Sequence, residues 1–328
     1  MTGQLGLEGM PTPLFACTPS RLAGWLDCPR RYRLAYVDRP TPPKGPAFAH
    51  NAVGAAAHLA LARLWDLPAA SRTPSSARAL LHAAWSPDGF ADSHQADRWK
   101  GYTGDMVARY VGTLDPDQEP RGIERTVACT TGALAVSGRV DRLDQRGEEL
   151  VVVDYKTGRR ALSEDDARGS LALALYVLGA RRTFRTDCST VELHHLPTGT
   201  VHRWRHTDET LQRHVGRAEA IAAEIRAAAD VADPDEAYPA RASALCGWCD
   251  FVRSCPVGLA ASGGPQRPWA GLADERTAPD ELLEAEEREA GLDAGDRDRI
   301  GRAPAGESEA RHLPAAGMGV EAVVGVPE

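Results

Sequence analysis

Residues 138–158 hold the side chains of this chain that are best suited to binding a metal ion beside a reacting group. The segment reads GRVDRLDQRGEELVVVDYKTG and contains Asp141, Asp154 and Lys156. Residues two apart on a strand point to the same side, so Asp154 and Lys156 are predicted to project together. Carboxylate oxygens are the ligands that Mg²⁺ and Mn²⁺ prefer, and a neighbouring ammonium group stabilises developing negative charge. The pattern therefore predicts metal-assisted hydrolysis of a phosphate ester.

The distance between the two carboxylates depends on how the two strands pair. A hairpin that turns symmetrically about residues 146 and 147 places Asp141 opposite Val152 and diagonal to Asp154. Such diagonal neighbours lie about 7–8 Å apart at Cα, close enough to share a cation, and the carbonyl of Tyr155 lies near the same point. A slip of one residue would turn Asp141 to the other face. The alternative is a solvated hairpin that carries an ordinary Asp–Lys ion pair.

The cysteines suggest a second metal centre. Cys246, Cys249 and Cys255 form the pattern C-x₂-C-x₅-C, and the other four of the seven cysteines are scattered. Disulfide bonds are disfavoured in a cytosolic chain, so this spacing favours a metal. Cys28, in the segment DCPRRY, is the best candidate for a fourth ligand. Zinc and an iron–sulfur cluster both accept four thiolates, and buried cysteines without a metal are the further alternative.

Length and composition place the chain among globular proteins. Its 328 residues, 43% of them hydrophobic, are enough to bury one large core or two small ones. No apolar run approaches the roughly 20 residues needed to span a bilayer. The first residues lack a basic start followed by a long apolar stretch, so we expect no secretory signal and a cytoplasmic protein.

The net charge of −8 does not exclude a nucleic-acid partner. Residues 263–328 contain 15 acidic and seven basic residues of the total 46 and 38, so residues 1–262 contain 31 of each. The acidity therefore lies in the C-terminal part, and the neutral remainder can still present an arginine-rich face.

Hydrophobic periodicity predicts an α/β protein in which helices precede and follow a group of strands. We expect helices over 20–37 (capped by Ser20 and bent at Pro29), within 54–65, near 76–85 and 97–114, over 171–180, and from the cap Thr207 to about 229; the strands are a meander over 125–155 with a turn near 145–148, and a hairpin of 191–196 with 201–206.

The chain divides into three predicted regions. Residues 1–19 form an N-terminal extension, residues 20–262 form the folded domain, and residues 263–328 form an acidic, largely disordered tail. A short helix is expected at 280–289. The tail composition is consistent with either DNA mimicry or a role in solubility.

Five segments occur together in the order typical of one known family: SRLAGWLDCPRRYRL at 20–34, GAAAH at 54–58, GRVDRLD at 138–144, VVVDYKTG at 151–158 and CGWCDFVRSCP at 246–256. In these segments the chain resembles RecB-like nucleases of the PD-(D/E)XK superfamily. The resemblance is to the branch with a C-terminal iron–sulfur staple, which includes the AddB subunit of bacterial helicase–nucleases and the CRISPR-associated adaptation nucleases. It implies a restriction-endonuclease-like core, with a central mixed β-sheet flanked by helices and a staple that joins the N- and C-terminal segments.

The resemblance also assigns roles to residues. A histidine on an alanine-rich helix has no special role by pattern alone, but the resemblance makes His58 a metal ligand. The implied metal ligands are His58, Asp141, Asp154 and the Tyr155 carbonyl, the implied catalytic residues are Asp141, Asp154, Lys156 and Tyr176, and the implied ligands of a [4Fe–4S] cluster are Cys28, Cys246, Cys249 and Cys255. One position departs from the family, because Ala172 stands where a glutamine often precedes the tyrosine by four residues. That glutamine usually helps to hold DNA or the active-site lysine, so activity or substrate preference is expected to change.

These observations predict a nuclease that depends on Mg²⁺ or Mn²⁺ and acts on single-stranded DNA or DNA ends in repair or recombination. One alternative is a cluster-containing DNA-binding or scaffold module with weak or no cleavage, and another is a zinc-stapled protein without nuclease activity. No G-x-x-x-x-G-K-[ST] motif is present, so any ATP-driven unwinding would need a separate helicase subunit. Four arginines around Cys28 are expected to contact DNA phosphates, the alternative being a solvated helix face: Arg21, Arg30, Arg31 and Arg33.

Overall fold

A computed structural model of the chain describes residues 13–272 and contains a six-stranded mixed sheet. The strands are β1 (Phe15–Cys17), β2 (Gly122–Thr130), β3 (Leu134–Arg146), β4 (Glu149–Lys156), β5 (Cys188–His195) and β6 (Thr200–Arg205). Their order is β1-β3-β4-β5-β6, and β2 also pairs with β3. The pairs β1/β3 and β4/β5 are parallel and the other pairs are antiparallel. The predicted mixed sheet flanked by helices is therefore confirmed.

The helices cover both faces of this sheet. They are α1 (Pro19–Asp27), α2 (Pro29–Tyr36), α3 (Ala49–Leu64), α4 (Pro74–Ala84), α5 (Ser93–Val111), α6 (Glu164–Gly169), α7 (Leu171–Phe184), α8 (Asp208–Ala229), α9 (Pro234–Ala237) and α10 (Pro256–Ser262). On one face, α3, α4 and α5 pack on the side chains of Val151, Val153 and Tyr155. On the other face, α1, α7 and α8 pack on the remaining apolar side chains of the central strands. None of the helices described here is long and apolar enough to cross a membrane.

The N-terminal helical segment differs in detail from its prediction. The expected single helix is divided at Cys28, which has an extended backbone, and Pro29 begins the second helix. Proline is well tolerated at this first helical position because it has no N–H to leave unpaired. The cap is Thr18, whose side chain accepts a hydrogen bond from the N–H of Arg21, and Ser20 lies inside α1. The break leaves the Cys28 thiol at a bend between two helices.

Strand β3 has different neighbours along its length, and this produces a fork in the sheet. Antiparallel pairing with β2 extends over most of β3, but on the other side β1 pairs only with residues 134–136. Pairing of β3 with β4 begins at Arg142, which lies opposite Val153. Asp141 therefore lies between β1 and β4, at the point where the two strands diverge.

The C-terminal end of the described chain contacts the body beyond the predicted boundary at Gly263. The N–H of Gln266 donates to the carbonyl of Gly247 at 2.8 Å, and Leu272 is buried against α3. Residues 264–272 thus belong structurally to the folded part. The predicted helix at 280–289 lies outside the described residues.

Candidate active site

The two strands that carry the carboxylates pair in a register different from the predicted one. Val152 lies opposite Leu143, not Asp141, because the turn consists of residues 147 and 148 and pairs Arg146 with Glu149. Gly147 has φ +62°, the left-handed conformation that glycine adopts most readily in such turns. The register is shifted by two residues, so the parity that places Asp141 and Asp154 on one face is retained. The predicted pairing of Asp141 with Val152 was wrong, but the prediction that Asp141 and Asp154 lie on the same face of the sheet is unaffected.

His58 and Asp141 form the centre of the site. His58 projects from α3, and its Nδ1 lies 3.3 Å from Oδ1 of Asp141. Burial by itself would lower the pKa of His58, but the charge and hydrogen bond of Asp141 raise it to about 9. The imidazole is therefore protonated at neutral pH when no metal is bound.

The two half-buried carboxylates Asp141 and Asp154 have pKa values displaced in opposite directions. Burial opposes ionisation of Asp141, yet the His58 cation and the Tyr155 N–H, which donates to Oδ2 at 2.8 Å, hold its pKa below the ordinary range. Burial raises the pKa of Asp154, although the Lys156 ammonium lies 2.9 Å from its Oδ2. The charge of Asp141 adds to this increase, so the two carboxylates lie close enough to interact. Opposite shifts of neighbouring acids are typical of sites that handle protons or cations.

Glu124 on β2 is a third acidic residue at this point, and the sequence prediction missed it. It faces Asp141 across the ladder, between the pairs Ile123–Arg142 and Arg125–Val140. Its φ of +46° is unusual for a residue other than glycine and marks a local distortion of the strand. Burial and the charge of Asp141 raise its pKa. The predicted strand began at Arg125, one residue after Glu124. The prediction therefore did not consider Glu124 as an acidic residue that could lie opposite the GRVD segment.

The donor atoms of three residues converge as a metal site requires. Ligand atoms of His58, Glu124 and Asp141 lie within 4.8 Å of one another. Two carboxylates and an imidazole suit a hard or borderline divalent cation. The predicted ligands His58 and Asp141 are thus brought together, Asp154 lies next to them, and Tyr155 reaches the site through its backbone.

Tyr176 approaches the site from α7, the helix that follows the lysine strand. Its ring lies directly over Gly138, where a methyl group would collide with Cε1 of the ring. The glycine of GRVD is therefore required by a close contact and not by an unusual backbone conformation. Ala172, four residues earlier on the same helix, is half-buried.

The four cysteines of the predicted staple lie near one another in two pairs, Cys28 with Cys249 and Cys246 with Cys255, although Cys28 is more than 200 residues from the others in sequence. The thiol of Cys28 accepts a hydrogen bond from the N–H of Arg241 at 3.4 Å. Burial raises the pKa of the Cys249 thiol, and the nearby Cys28 adds to this effect. Cys246 and Cys255 both lie within 4 Å of the position of a Cβ on Gly258. Within residues 13–272, no three of the four sulfur atoms lie within 4.8 Å of one another.

The arginines predicted to contact DNA all have partners within the protein. Arg21 donates from Nε to the Tyr32 hydroxyl at 2.8 Å and packs over the rings of Phe15, Tyr32 and Tyr36; Arg30 pairs with Asp235 at 2.8 Å; Arg31 pairs with Asp27 at 3.3 Å; and Arg33 pairs with Asp38 at 2.9 Å. Arg31 has the most exposed side chain of the three ion-paired arginines, at 39%.

Comparisons with known proteins give one match that covers most of the chain. Residues 16–256 match a family model described as the PD-(D/E)XK nuclease superfamily. The search of curated proteins found no match. Among solved structures, the chain is similar to a candidate exonuclease from Eubacterium rectale, with 10% identity and a TM-score of 0.28 over 45% of this chain and 71% of that chain. A TM-score this low carries no argument, and the family membership rests on the match of residues 16–256 to the family model.

Proposed function

We propose that this chain, which belongs to the PD-(D/E)XK nuclease superfamily, is a metal-dependent nuclease that hydrolyses DNA as an exonuclease on single strands or ends. The observation that supports this most directly is the convergence of His58, Glu124 and Asp141 donor atoms within 4.8 Å. The Asp154–Lys156 pair lies beside these donors, at 2.9 Å between ammonium and carboxylate. Mixed acids and an adjacent cation are the groups that phosphodiester hydrolysis needs.

The site residues fit a divalent cation. His58, Asp141, Asp154 and the carbonyl of Tyr155 are the proposed ligands, and Glu124 joins them on the geometry described above. A bound Mg²⁺ or Mn²⁺ would supply Lewis acidity toward the phosphate and lower the pKa of a coordinated water. Because His58 binds a metal only as the neutral imidazole, it must lose its proton when the metal enters.

The remaining catalytic roles belong to Lys156 and Tyr176. Lys156 is held by Asp154, so its ammonium group is positioned to neutralise negative charge on a cleaving phosphodiester. Tyr176, packed on Gly138 at the fork of the sheet, is proposed to contact the DNA near that lysine. Because Ala172 stands where related proteins often have a glutamine, Tyr176 would contact the DNA without help from a glutamine side chain.

The test is degradation of end-labelled single-stranded DNA with Mg²⁺ and, separately, with Mn²⁺. We expect Asp154→Ala and Lys156→Ala to remove most of the activity. The matched control is Asp165→Ala, which removes a carboxylate paired with Arg168 at 2.8 Å on the exposed surface of α6. Equal activity in all four proteins would reject the assigned site.

The cysteines are proposed to bind a [4Fe–4S] cluster that staples the N-terminal helices to the C-terminal end of the domain. Tetrahedral zinc with Zn–S bonds near 2.3 Å would hold its sulfurs roughly 3.8 Å apart. The choice of a cluster over such a zinc ion follows the resemblance to the iron–sulfur branch of the family, since four thiolates accept either. Anaerobically purified protein should be brown and contain iron, whereas colourless protein that contains zinc would support the zinc-stapled alternative.

The proposed DNA contacts of Arg21, Arg30, Arg31 and Arg33 would require some of these arginines to exchange a protein partner for a phosphate. Arg31 is the best placed, because its ion pair with Asp27 is exposed and costs little to break. Replacing these arginines with alanine should lower the slope of DNA affinity against salt concentration. An unchanged slope would remove them from the DNA interface.

A second candidate function is a DNA-binding or scaffold module that retains the fold and the cluster but cleaves weakly. The observation behind it is Ala172, which removes a side chain that would contact DNA or the lysine. DNA binding without cleavage in either metal would favour it. In either role we propose a cytoplasmic protein of DNA repair or recombination that associates with a separate helicase subunit. Its folded domain is wider than the predicted residues 20–262, since β1 at Phe15–Cys17 and the buried Leu272 belong to it, and an acidic tail follows.

A further inference from the structure

The face of the sheet opposite the carboxylates carries a buried network of charged and polar side chains that the proposed mechanism does not use. Arg142 forms a two-point contact with Asp144, with Nε–Oδ1 at 2.9 Å and Nη2–Oδ2 at 3.0 Å. Its Nη1 also donates to the hydroxyls of Tyr155 at 3.2 Å and Tyr110 at 3.3 Å. The side chains of Arg142 and Asp144 are each only 5% exposed.

The network closes into a ring through β5. The Tyr110 hydroxyl lies 2.8 Å from Nδ1 of His194, whose Nε2 lies 3.0 Å from Glu192. Glu192 pairs with Arg146, which returns to Asp144 at 3.2 Å. Because a carboxylate only accepts, Nε2 of His194 carries the hydrogen and Nδ1 accepts from Tyr110. The ring therefore closes with His194 neutral, and its two arginines balance two carboxylates; the Nε of Arg142 contributes an ion-pair contact to Asp144 and no hydrogen bond.

Two members of this network, Arg142 and Tyr155, are the chain neighbours of the proposed metal ligands. Arg142 follows Asp141 on β3, and Tyr155 follows Asp154 on β4, so each points away from the carboxylate beside it. The last ladder pair between these strands is Arg142 with Val153. Beyond that pair, the strands are joined by side-chain contacts: the Tyr155 N–H to Asp141 on one face and the Tyr155 hydroxyl to Arg142 on the other.

Tyr155 also contacts His58. The two rings meet edge to face with their centroids 5.9 Å apart, and the Tyr155 ring is fully buried in the core beneath α3. A shift of this ring would therefore move His58 and the Tyr155 backbone together. Both lie against Asp141.

We propose that the Arg142–Tyr155 contact, braced by Tyr110 and His194, is a positioning device that holds the proposed metal ligands His58 and Asp141 in place. The proposal rests on the proposed function, since it assumes that His58 and Asp141 bind a cation. Stability alone is a poor reason for such a network, because buried ion pairs are often no more stabilising than apolar side chains of similar size. A buried network linked by this many hydrogen bonds and ion pairs instead fixes one arrangement of the groups attached to it.

The test is a calorimetric titration of the metal-free protein with Mn²⁺, without DNA, for the wild type and for Tyr155→Phe. The substitution keeps the ring and removes only the hydroxyl. We expect the Mn²⁺ affinity to fall roughly tenfold, the lower end of the effect of removing groups that orient metal ligands. The matched control is Tyr32→Phe, because Tyr32 is equally buried and also accepts from an arginine, at 2.8 Å, away from the site.

The outcomes separate the two proposals. Wild-type protein that does not bind Mn²⁺ would overturn the proposed metal site. Wild-type binding that Tyr155→Phe leaves unchanged, or that Tyr32→Phe weakens equally, would overturn the positioning role alone. Tyr110→Phe provides a second variant in case Tyr155→Phe does not fold, and we expect it to weaken binding about threefold because Tyr110 contacts Arg142 but lies on neither strand. Wild-type affinity in Tyr110→Phe would exclude the network from this role.

Discussion

The two candidate metal centres of this protein are built in different ways. The carboxylate site takes Glu124, Asp141 and Asp154 from three adjacent strands, and only His58 comes from a helix. The cysteine site takes Cys28 from a break between two helices and its other ligands from short turns near the C-terminal end. Donor atoms of His58, Glu124 and Asp141 converge within 4.8 Å in the first site, whereas no three of the cysteine sulfurs do so in the second.

This difference in construction indicates how far the geometry of each site would depend on a bound metal or cluster. Strand pairing and buried hydrogen bonds hold the carboxylates before any metal is present, so their geometry belongs to the sheet. The cysteines lie in short turns whose backbone hydrogen bonds join residues only three or four apart, and a bound cluster would link these segments to one another. We therefore expect the loss of a carboxylate to lower the rate of cleavage, and the loss of a cysteine to lower the stability of the fold.

The largest effect is expected for Asp141→Asn. This variant keeps the shape of the side chain but loses the charge that binds His58 and the proposed cation, so cleavage should fall by at least about 1,000-fold. Rates on labelled single-stranded DNA, with circular dichroism as the folding control, provide the measurement. If iron content also fell, the two centres would not be independent.

Cys28→Ala should act on the other centre. We expect loss of iron and of visible absorbance and a decrease in Tm of about 10 °C, because the link between α1–α2 and residues 246–255 is removed. Cys129→Ala is the matched control, since this half-buried cysteine lies outside the set. Mn²⁺ affinity in Cys28→Ala should stay within about threefold of wild type, and a complete loss would contradict a carboxylate site organised by the sheet alone.

Gly138→Ala is expected to have a smaller effect, confined to the carboxylate site. The added methyl group would displace the Tyr176 ring from the fork, and we expect cleavage to decrease about tenfold with iron content unchanged. Gly216→Ala makes the same change on the exposed surface of α8, where nothing lies within 4 Å of the new group. Wild-type activity in Gly138→Ala would remove Tyr176 from the catalytic residues.

The smallest effect is a pH dependence of stability in metal-free protein. The pKa of His58 in the folded state is about 9, above its ordinary value of 6.5, so its pairing with Asp141 stabilises fully below pH 6.5 and is lost as the pH rises through 9. We expect Tm to fall by about 3 °C more in wild type than in His58→Gln between pH 6.5 and 9.5, with EDTA present. Equal losses in the two proteins would place the titrating group elsewhere.

The sequence predicted the parts of the structure that local patterns determine. Thr207 caps α8 as expected, the hairpin of β5 and β6 is present, and the alternation of β4 placed its apolar residues in the core. Asp154 and Lys156 were expected to share a face because they are two residues apart on one strand, and their side chains lie 2.9 Å apart. These features depend on spacing alone.

The missed features depend on contacts between distant segments. The hairpin register was wrong because Gly147 begins the turn one residue later than symmetry suggested. Glu124 reaches the site through pairing of β2 with β3, and no pattern within β2 specifies that pairing. Asp235, the ion-pair partner of Arg30, is about 200 residues away in sequence. The sequence of α2, which carries Arg30, therefore could not predict this ion pair.

Long-range pairing of β1 has a consequence for how a cell makes this protein. Phe15–Cys17 pairs with residues 134–136, and Cys28 meets its companions only at residues 246–255. At usual synthesis rates the ribosome needs roughly 10–50 s to reach that point. Until residues 134–136 are made, β1 has no strand to pair with and α1 lacks the core on which it packs, so we expect chaperones to bind the nascent chain. The cluster proposed for the cysteines would be assembled only when translation of the domain has almost finished.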